Sequence, residues 1–350
     1  MVAPSYLPRI GGVERHIYFV HNCLKTRGIV GSVLVLNEDS RIENSRDGDV
    51  MRLSLGPLGR HVRKLERFVR MIQVGRYMLR YRNCIFHFHD YRGLYPVLPL
   101  LYFLGSRGPK TFITFHGWEG VFPVRRNTMI RRQQCAKVVD GIISVGKFIS
   151  KWYNTPPGEI CYGGVDVKRY SSATIDYRKL PMRIAYLGRL EKDTGVLDLL
   201  EAVQRVSDTG LKIELHIFGT GSLESKLRNS TAACPQYSVV FHSAVDDTFS
   251  IVNEFPVICA SGYLTILEAL CARRLVLAFY NNPLREDYLR LHPAEASMFI
   301  CGSADDFDAA LDQIRSQPDL VSQRAELGWK WAQAQSWESV ADLYVQLWKS

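Results

Sequence analysis

The 350-residue sequence lacks the features that would place it in several large classes. Its eight cysteines, at 23, 84, 135, 161, 234, 259, 271 and 301, contain no Cys-x-x-Cys pair and no regular spacing. That pattern argues against a disulfide framework and for buried thiols in a reducing compartment. The longest uncharged stretch, residues 93–106, has 14 residues and two prolines. A membrane-spanning helix needs about 20 apolar residues, so this stretch is read as a buried helix. Met1-Val-Ala-Pro-Ser does not open a signal peptide, and no unit repeats at a period of about 20 to 50 residues. Zinc-finger, homeodomain and RNA-recognition signatures are also missing.

Acidic residues are scarce in the first half. Residues 1–170 hold 27 Lys and Arg against 12 Asp and Glu, a net +15, whereas the remainder holds 17 against 23, a net −6. A basic half favours an anionic partner, nucleic acid or lipid surface. At 47% hydrophobic and 23% charged the chain is an ordinary globular protein, and its length favours two domains.

What is present is an alternation of short apolar runs and helical periodicities. Val2-Ala-Pro4 reads as the tail of a strand, followed by Gly11-Gly12-Val-Glu14-Arg-His16 and a helix with Ile17, Val20 and Leu24 on one side. A glycine pair between strand and helix allows a ligand to approach the backbone, although ligand-free glycine turns are more common. Residues 32–36 are a second strand and 39–49 a polar loop; Asp47-Gly-Asp49 within it is a turn rather than a metal motif. Residues 61–82 alternate Arg67, Arg70, Arg76, Arg80 and Arg82 with Phe68, Ile72, Met78 and Leu79. This basic amphipathic helix is read as a solvated face, as a contact with an anionic membrane, or as a contact with nucleic acid.

His87 and His89 share one face of a strand that ends at Asp90. They are read as strand-end polar groups facing a cleft rather than as metal ligands with His116. His116 follows the strand at 110–115, where the carboxyl ends of parallel strands line a ligand crevice. Beyond a polar stretch near residue 170, the strand at 183–187 leads into Gly188-Arg189-Leu-Glu-Lys192-Asp-Thr194-Gly195, and an arginine there is placed to fork onto a diphosphate. Gly219-Thr-Gly221 follows the next strand. The run Val257-Ile-Cys-Ala260-Ser261-Gly262-Tyr-Leu264-Thr265-Ile-Leu-Glu268 reads as strand, polar elbow and helix. The elbow is a seat for phosphate, and Glu268, nearly alone among apolar neighbours, can reach the sugar of a nucleotide held there. Two doubly wound α/β domains follow from the alternation, with a boundary near residue 170.

These motifs, in this order, resemble the retaining glycosyltransferases of family four (group 1), whose GT-B fold pairs two Rossmann-like domains across a central cleft. The carriers are Gly11 to His16, Gly163-Gly-Val-Asp166, Gly188 to Gly195, Gly219 to Gly221 and the Glu268 helix. The resemblance implies an acceptor-side domain over 1–169, a nucleotide-sugar domain over 170–335 and a final helix, 336–350, crossing back to the first domain. It implies that Gly12, beside Gly11, approaches the donor phosphates, Arg189 and Lys192 bind the diphosphate, and Gly221, beside Gly219, flanks the nucleoside. Ser261, Gly262, Leu264 and Thr265 line the elbow, Glu268 takes the ribose hydroxyls, and His116 faces the transferred sugar. No metal or separate cofactor is expected, because arginine and helix-start amides neutralise the leaving diphosphate. The implied reaction is retaining transfer of a hexosyl group from a nucleotide-diphosphate sugar to a glycan or lipid-linked acceptor. It would take place in the cytoplasm, possible contact with an anionic membrane included, and without nucleic acid. A sugar-nucleotide epimerase and a non-catalytic nucleotide-sugar-binding homologue are the alternatives. Three departures stand out: Ala260 where the family usually has Glu, Thr194 and Gly195 where it has Lys, and a first strand cut short at Met1.

Overall fold

The computed structural model describes residues 1–9, 11–36, 45–55, 63–117, 119–170, 173–177, 182–232, 238–245 and 247–350, with the side chains of residues 63, 64 and 232 left aside. Residues 39–44 of the polar loop, His61, Val62, Trp118, Ser171, Ser172 and Cys234 lie outside the described residues. The chain divides into two compact units, Met1–Cys161 with Trp337–Ser350, and Tyr162–Ser336. The boundaries thus fall at 161/162 and 336/337, against 169/170 and 335/336 in the sequence reading.

In the first unit eight described strands form one sheet: β1 (Val2–Ala3), β2 (Val33–Leu36), β3 (Ser45–Asp47), β4 (Val50–Leu53), β5 (Phe86–His89), β6 (Thr111–Phe115), β7 (Gly141–Ser144) and β8 (Glu159–Ile160). Their order is β3-β4-β2-β1-β5-β6-β7-β8, parallel except for the β3-β4 hairpin. That hairpin corrects the loop reading: part of the polar stretch pairs at the sheet edge around a Gly48-Asp49 turn, and β4 was not foreseen. In the second unit six described strands, all parallel, are β9 (Met182–Leu187), β10 (Ile213–Phe218), β11 (Ser238–His242), β12 (Val257–Ala260), β13 (Leu275–Phe279) and β14 (Met298–Cys301). They run in the order β11-β10-β9-β12-β13-β14. Helices on both faces explain why β12 and β13 are buried at every residue and read as unbroken apolar runs.

Residues 93–106 are not the single buried helix expected. Pro96 and Pro99 begin separate helical pieces, and Gly105 ends the helix Leu98–Leu104, which leaves Tyr102 62% and Phe103 86% exposed.

The last helix, Trp337–Lys349, packs on the first, Gly12–Thr26, and over the first sheet. Trp337 stacks on Phe19 with centroids 4.9 Å apart. His87 and His89 do not face a cleft, because this helix covers their side of the sheet; both are fully buried. Trp348 Nε1, which can only donate, lies 3.0 Å from His87 Nδ1, so the proton of neutral His87 sits on Nε2 and is donated to Thr114 Oγ1 at 2.7 Å. The Thr114 hydroxyl meets Tyr344 Oη at 2.8 Å, and Tyr344 Oη meets His16 Nε2 at 3.0 Å. One hydrogen-bonded chain therefore ties the end of the polypeptide to its beginning. Burial holds His16 at about 4 and drives His87, His89 and His116 well below the ordinary imidazole value.

Because the folded state keeps these imidazoles neutral, the unfolded chain binds more protons below about pH 6.5, and stability falls as the pH drops from there towards 4. Denaturant titrations at pH 7.5, about 5.5 and about 4.5 should show this loss, on the order of 3 kcal/mol for His16 alone once fully expressed. Tyr344→Phe leaves two buried partners short of a hydrogen bond and should cost about 1 to 3 kcal/mol at neutral pH. Stability independent of pH across this window would contradict the neutral network.

Candidate functional site

The second sheet reverses its order between β9 and β12, and the chain after each strand turns to a different side. A crevice opens at such a switch point, and the loops flanking it are Gly188–Gly195 and the Ser261-Gly262 elbow. They touch: a Cβ on Gly188 would lie 2.3 Å from Ser261 Oγ. Arg189 is 65% exposed at the tip of its loop, its Nη2 2.9 Å from Asp193 Oδ2. The loop beneath is fixed by neutral bonds. The hydroxyls of Tyr186 and Thr194 both donate to the Arg189 carbonyl, at 2.7 and 2.9 Å, and Thr194 also reaches the Glu191 carbonyl at 2.8 Å.

The packing of this loop accounts for one of the departures, Thr194 and Gly195. Thr194 is buried, and Gly195 has φ +75° with an added Cβ only 2.4 Å from Phe279 Cβ, so no long side chain can stand at either place. Lys192 is exposed, and its carbonyl accepts from Asn281 Nδ2 at 2.7 Å. Ala260 ends β12 almost fully buried. Gly219 and Gly221 owe their identity to the neighbouring loop: a Cβ would stand 2.0 Å from the Gly188 carbonyl oxygen in one case and 2.4 Å from that of Leu190 in the other. Glu191 completes this junction by accepting from the Ser222 amide and hydroxyl.

The elbow leads into the helix Tyr263–Cys271, whose first internal bond joins the Ile266 amide to the Gly262 carbonyl at 3.0 Å. The Tyr263 amide is already taken, donating to Tyr288 Oη at 2.8 Å, which leaves Leu264 and Thr265 as the amides that precede the helical ladder. The Leu264 side chain covers Gly163, where an added Cβ would meet it at 2.5 Å. Two turns along, Glu268 is buried and accepts from the Thr248 hydroxyl at 2.7 Å.

The sequence reading missed Arg285. The helix Pro283–Arg290 begins with Asn282 accepting from the Arg285 amide, and this cap points the arginine back under the elbow. Arg285 is 3% exposed; Nη2 donates to the Ser261 carbonyl at 2.8 Å and the guanidinium lies 4.4 Å from the Tyr288 ring. Its Nε has no partner, and among the described residues no carboxylate pairs with it. Burial pushes the Tyr288 hydroxyl above its ordinary value, and the Arg285 guanidinium beside it pulls the other way. The Asn-Pro start at 282–283 was the available signal, since it sets the helix register.

The first sheet also reverses, between β1 and β5, and a cavity of about 230 Å³ lies at that switch point. Ser5, Glu14, Asp90, His116, Glu119 and Arg132 line it, with exposed Arg9 and Arg92 beside them. Arg132 is wholly buried, 3.6 Å from Asp90 and 3.7 Å from Glu119, with Nη2 donating to the Gly117 carbonyl at 3.1 Å. Asp90 takes φ +76° and accepts from the Tyr91 amide at 2.6 Å; burial pushes its carboxyl up, against the pull of Arg132. Glu14 accepts from the Ser5 hydroxyl and folds back over Gly11, where a Cβ would fall 2.5 Å from Glu14 Oε2. Gly11 thus makes room for Glu14, while Gly12 is exposed at the start of its helix. His116 stands 3.0 Å from His89 and is neutral, so it can hydrogen-bond but not act as a cation. The structure therefore gathers Arg189, Lys192, Gly219, Gly221, Ser261, Gly262, Leu264, Thr265 and Glu268 in the second unit, and His116, Gly11 and Gly12 in the first. Among the described residues no cluster of three His, Cys, Asp or Glu could hold a metal ion.

The family model for Glycosyltransferase Family 4 matches residues 10–169, and that for Glycosyl transferases group 1 matches residues 181–316. No curated protein sequence matches the chain. Solved structures with the same fold include a glycosyltransferase from Rickettsia africae ESF-5, at 15% identity and TM-score 0.69, covering 99% of this chain and 97% of that one. The lipopolysaccharide outer core galactosyltransferase WaaB aligns at 14% identity and TM-score 0.69, over 99% and 98%. Anabaena Alr3699/HepE, solved with UDP and glucose, aligns at 12% identity and TM-score 0.72, over 99% and 98%. The two family matches and the shared architecture agree: the chain belongs to the group 1 glycosyltransferases of family 4 and has the GT-B fold.

Proposed function

We propose that the protein transfers a hexosyl group from a nucleotide-diphosphate sugar to a glycan or lipid-linked acceptor, with retention of configuration and without a metal. The observation that supports this most is buried Arg285 beneath the elbow of the second unit, its guanidinium on the Ser261 carbonyl where the strand gives way to a helix start. The diphosphate lies at the elbow, on the amides of Leu264 and Thr265 and beside Arg189, which exchanges Asp193 for phosphate oxygens. Arg285 supplies from beneath the second charge that Thr194 and Gly195 do not, and Lys192 supports it from the loop. Glu268 exchanges the Thr248 hydroxyl for those of the ribose. The anomeric carbon's bond to the diphosphate breaks with its electron pair going to the phosphate. The acceptor oxygen bonds to the same face of that carbon, and the acceptor's proton passes to the departing phosphate oxygen. Charge develops on the diphosphate, so the arginines act mainly in the transition state. The acceptor belongs to the first unit, whose cavity presents the carboxylates of Glu14, Asp90 and Glu119 to sugar hydroxyls. HepE was solved with UDP and glucose, and we take the same class of donor here. The basic first unit favours the cytoplasmic surface of a membrane as the setting.

Screening nucleotide sugars for protection against thermal unfolding tests the donor assignment. A true donor at 100 times its Kd adds about 2.7 kcal/mol, and release of an epimerised sugar without a transfer product would replace transfer by epimerisation.

Arg189→Ala should lower kcat by about 100-fold or more, and Arg285→Met should do likewise while melting near the wild-type temperature. Glu268→Ala should weaken nucleoside-diphosphate binding in calorimetry. Unchanged turnover in both arginine variants would remove them from the reaction.

A further inference from the structure

A run of hydrogen-bonded side chains crosses the outer part of the second sheet. Ile213, Leu215 and Ile217 of β10 belong to the core with the helix Val196–Asp208, so Glu214, His216 and Phe218 face the opposite side. There Glu214 accepts from His216 Nε2 at 2.5 Å, and His216 Nδ1 lies 2.9 Å from His242 Nε2 at the end of β11. The bond from His216 holds the Glu214 carboxyl below its usual range, with Arg183 adding to the pull. An ionised carboxylate only accepts, so neutral His216 carries its proton on Nε2, and His242 is the donor to its Nδ1. Burial and the neighbouring His216 keep His242 below the ordinary imidazole value, so at pH 7.5 its own Nδ1 is a bare acceptor. Phe218, opposite His242 in the register, stacks on it with centroids 4.1 Å apart. His216 is opposite Val240, nearer the amino ends of the strands, so His242 Nε2 looks back along the sheet. The two nitrogens of an imidazole look out in nearly opposite directions, which aims Nδ1 at the carboxyl ends. His242 is half-buried, and among the described residues nothing bonds to that nitrogen.

The same side of the sheet leads to Glu268. The helix Phe249–Glu254 follows β11, packs against the Glu268 helix and starts beside Thr248, whose hydroxyl reaches Glu268 Oε2 at 2.7 Å. A ribose on Glu268 therefore lies against the segment that leaves β11. β11 stands two strands from β9, about 10 Å at about 4.8 Å per strand, so a nucleoside whose phosphates sit at the elbow reaches the ends of β10 and β11 with its base. We propose that His242 reads the base of the donor, its Nδ1 accepting a hydrogen bond from a ring N–H. The inference rests on the donor site proposed above and adds to it the class of base. Uracil, thymine and guanine offer a ring N–H beside a carbonyl, whereas cytosine and adenine have a bare ring nitrogen on the corresponding edge. The latter would set one lone pair against another, and a site that must be hydrogen-bonded rejects a ligand that leaves it unpaired. Glu214 makes the choice definite, because it holds the protons of His216 and His242 on Nε2 and so keeps Nδ1 of His242 an acceptor.

Calorimetry of the whole chain at pH 7.5 with UDP, dTDP, GDP, CDP and ADP, and with inorganic pyrophosphate, is the test. At least one of UDP, dTDP and GDP should bind about tenfold tighter than both CDP and ADP, and the tightest of the three names the base. His242→Phe keeps a ring against Phe218 but has no acceptor nitrogen. It should bring that nucleotide and CDP to within about threefold of each other while leaving the affinity for pyrophosphate unchanged. CDP or ADP binding to the wild type as tightly as the other three would overturn the inference, as would a preference that survives intact in His242→Phe. Absence of binding by every nucleotide would overturn the donor reading and this inference with it, whereas binding without the ranking overturns the base contact alone.

Discussion

Two neighbouring parallel strands whose onward connections leave for opposite sides of a sheet cannot close the gap at their carboxyl ends. Both sheets contain one such gap, between β1 and β5 and between β9 and β12, and nearly every polar group of interest stands beside one of them. In the second unit the gap is walled by closely packed loops, since Gly219 and Gly221 press on neighbouring backbone and Gly188 on the Ser261 side chain. Arg189 stands exposed at the rim, where solvent screens its charge, and Arg285 is buried beneath the elbow, where screening is weaker.

The missing lysine of the motif therefore has a structural meaning. A glycine at 195 in a left-handed turn against Phe279 and a threonine at 194 turned inward leave the loop rigid but short of one charge. Arg285 comes from a different element, after β13, and is held by an uncharged carbonyl and an aromatic ring. Among the described residues no carboxylate pairs with it, so no direct ion pair offsets its charge.

Alternation of apolar runs and helical periodicities was enough to read the α/β class, and the strand-elbow-helix at 257–268 matches the structure within a residue or two. Parallel strands buried on both faces announce themselves as continuous Val, Ile and Leu. The edge hairpin β3-β4 was not legible, because its residues are exposed and polar and only the pairing gives them extended form. His87 and His89 were misplaced because strand periodicity shows that they share a face but not what covers it; the covering helix lies about 250 residues later. Arg285 escaped because an isolated arginine in a polar helix carries no pattern of its own. Of the glycines read as ligand-facing, Gly219 and Gly221 accommodate neighbouring backbone and Gly11 the Glu14 side chain, whereas Gly262 has open space beside it.

The chain of hydrogen bonds from Trp348 to His16 has a consequence for biogenesis. The second unit is contiguous in sequence, whereas the first is completed by the final helix. Until that helix docks, the first unit shows a row of uncovered imidazoles and one uncovered face of Phe19, whereas the second unit is made of its own span alone. Completion of the amino-terminal unit therefore depends on residues made after the whole of the second unit.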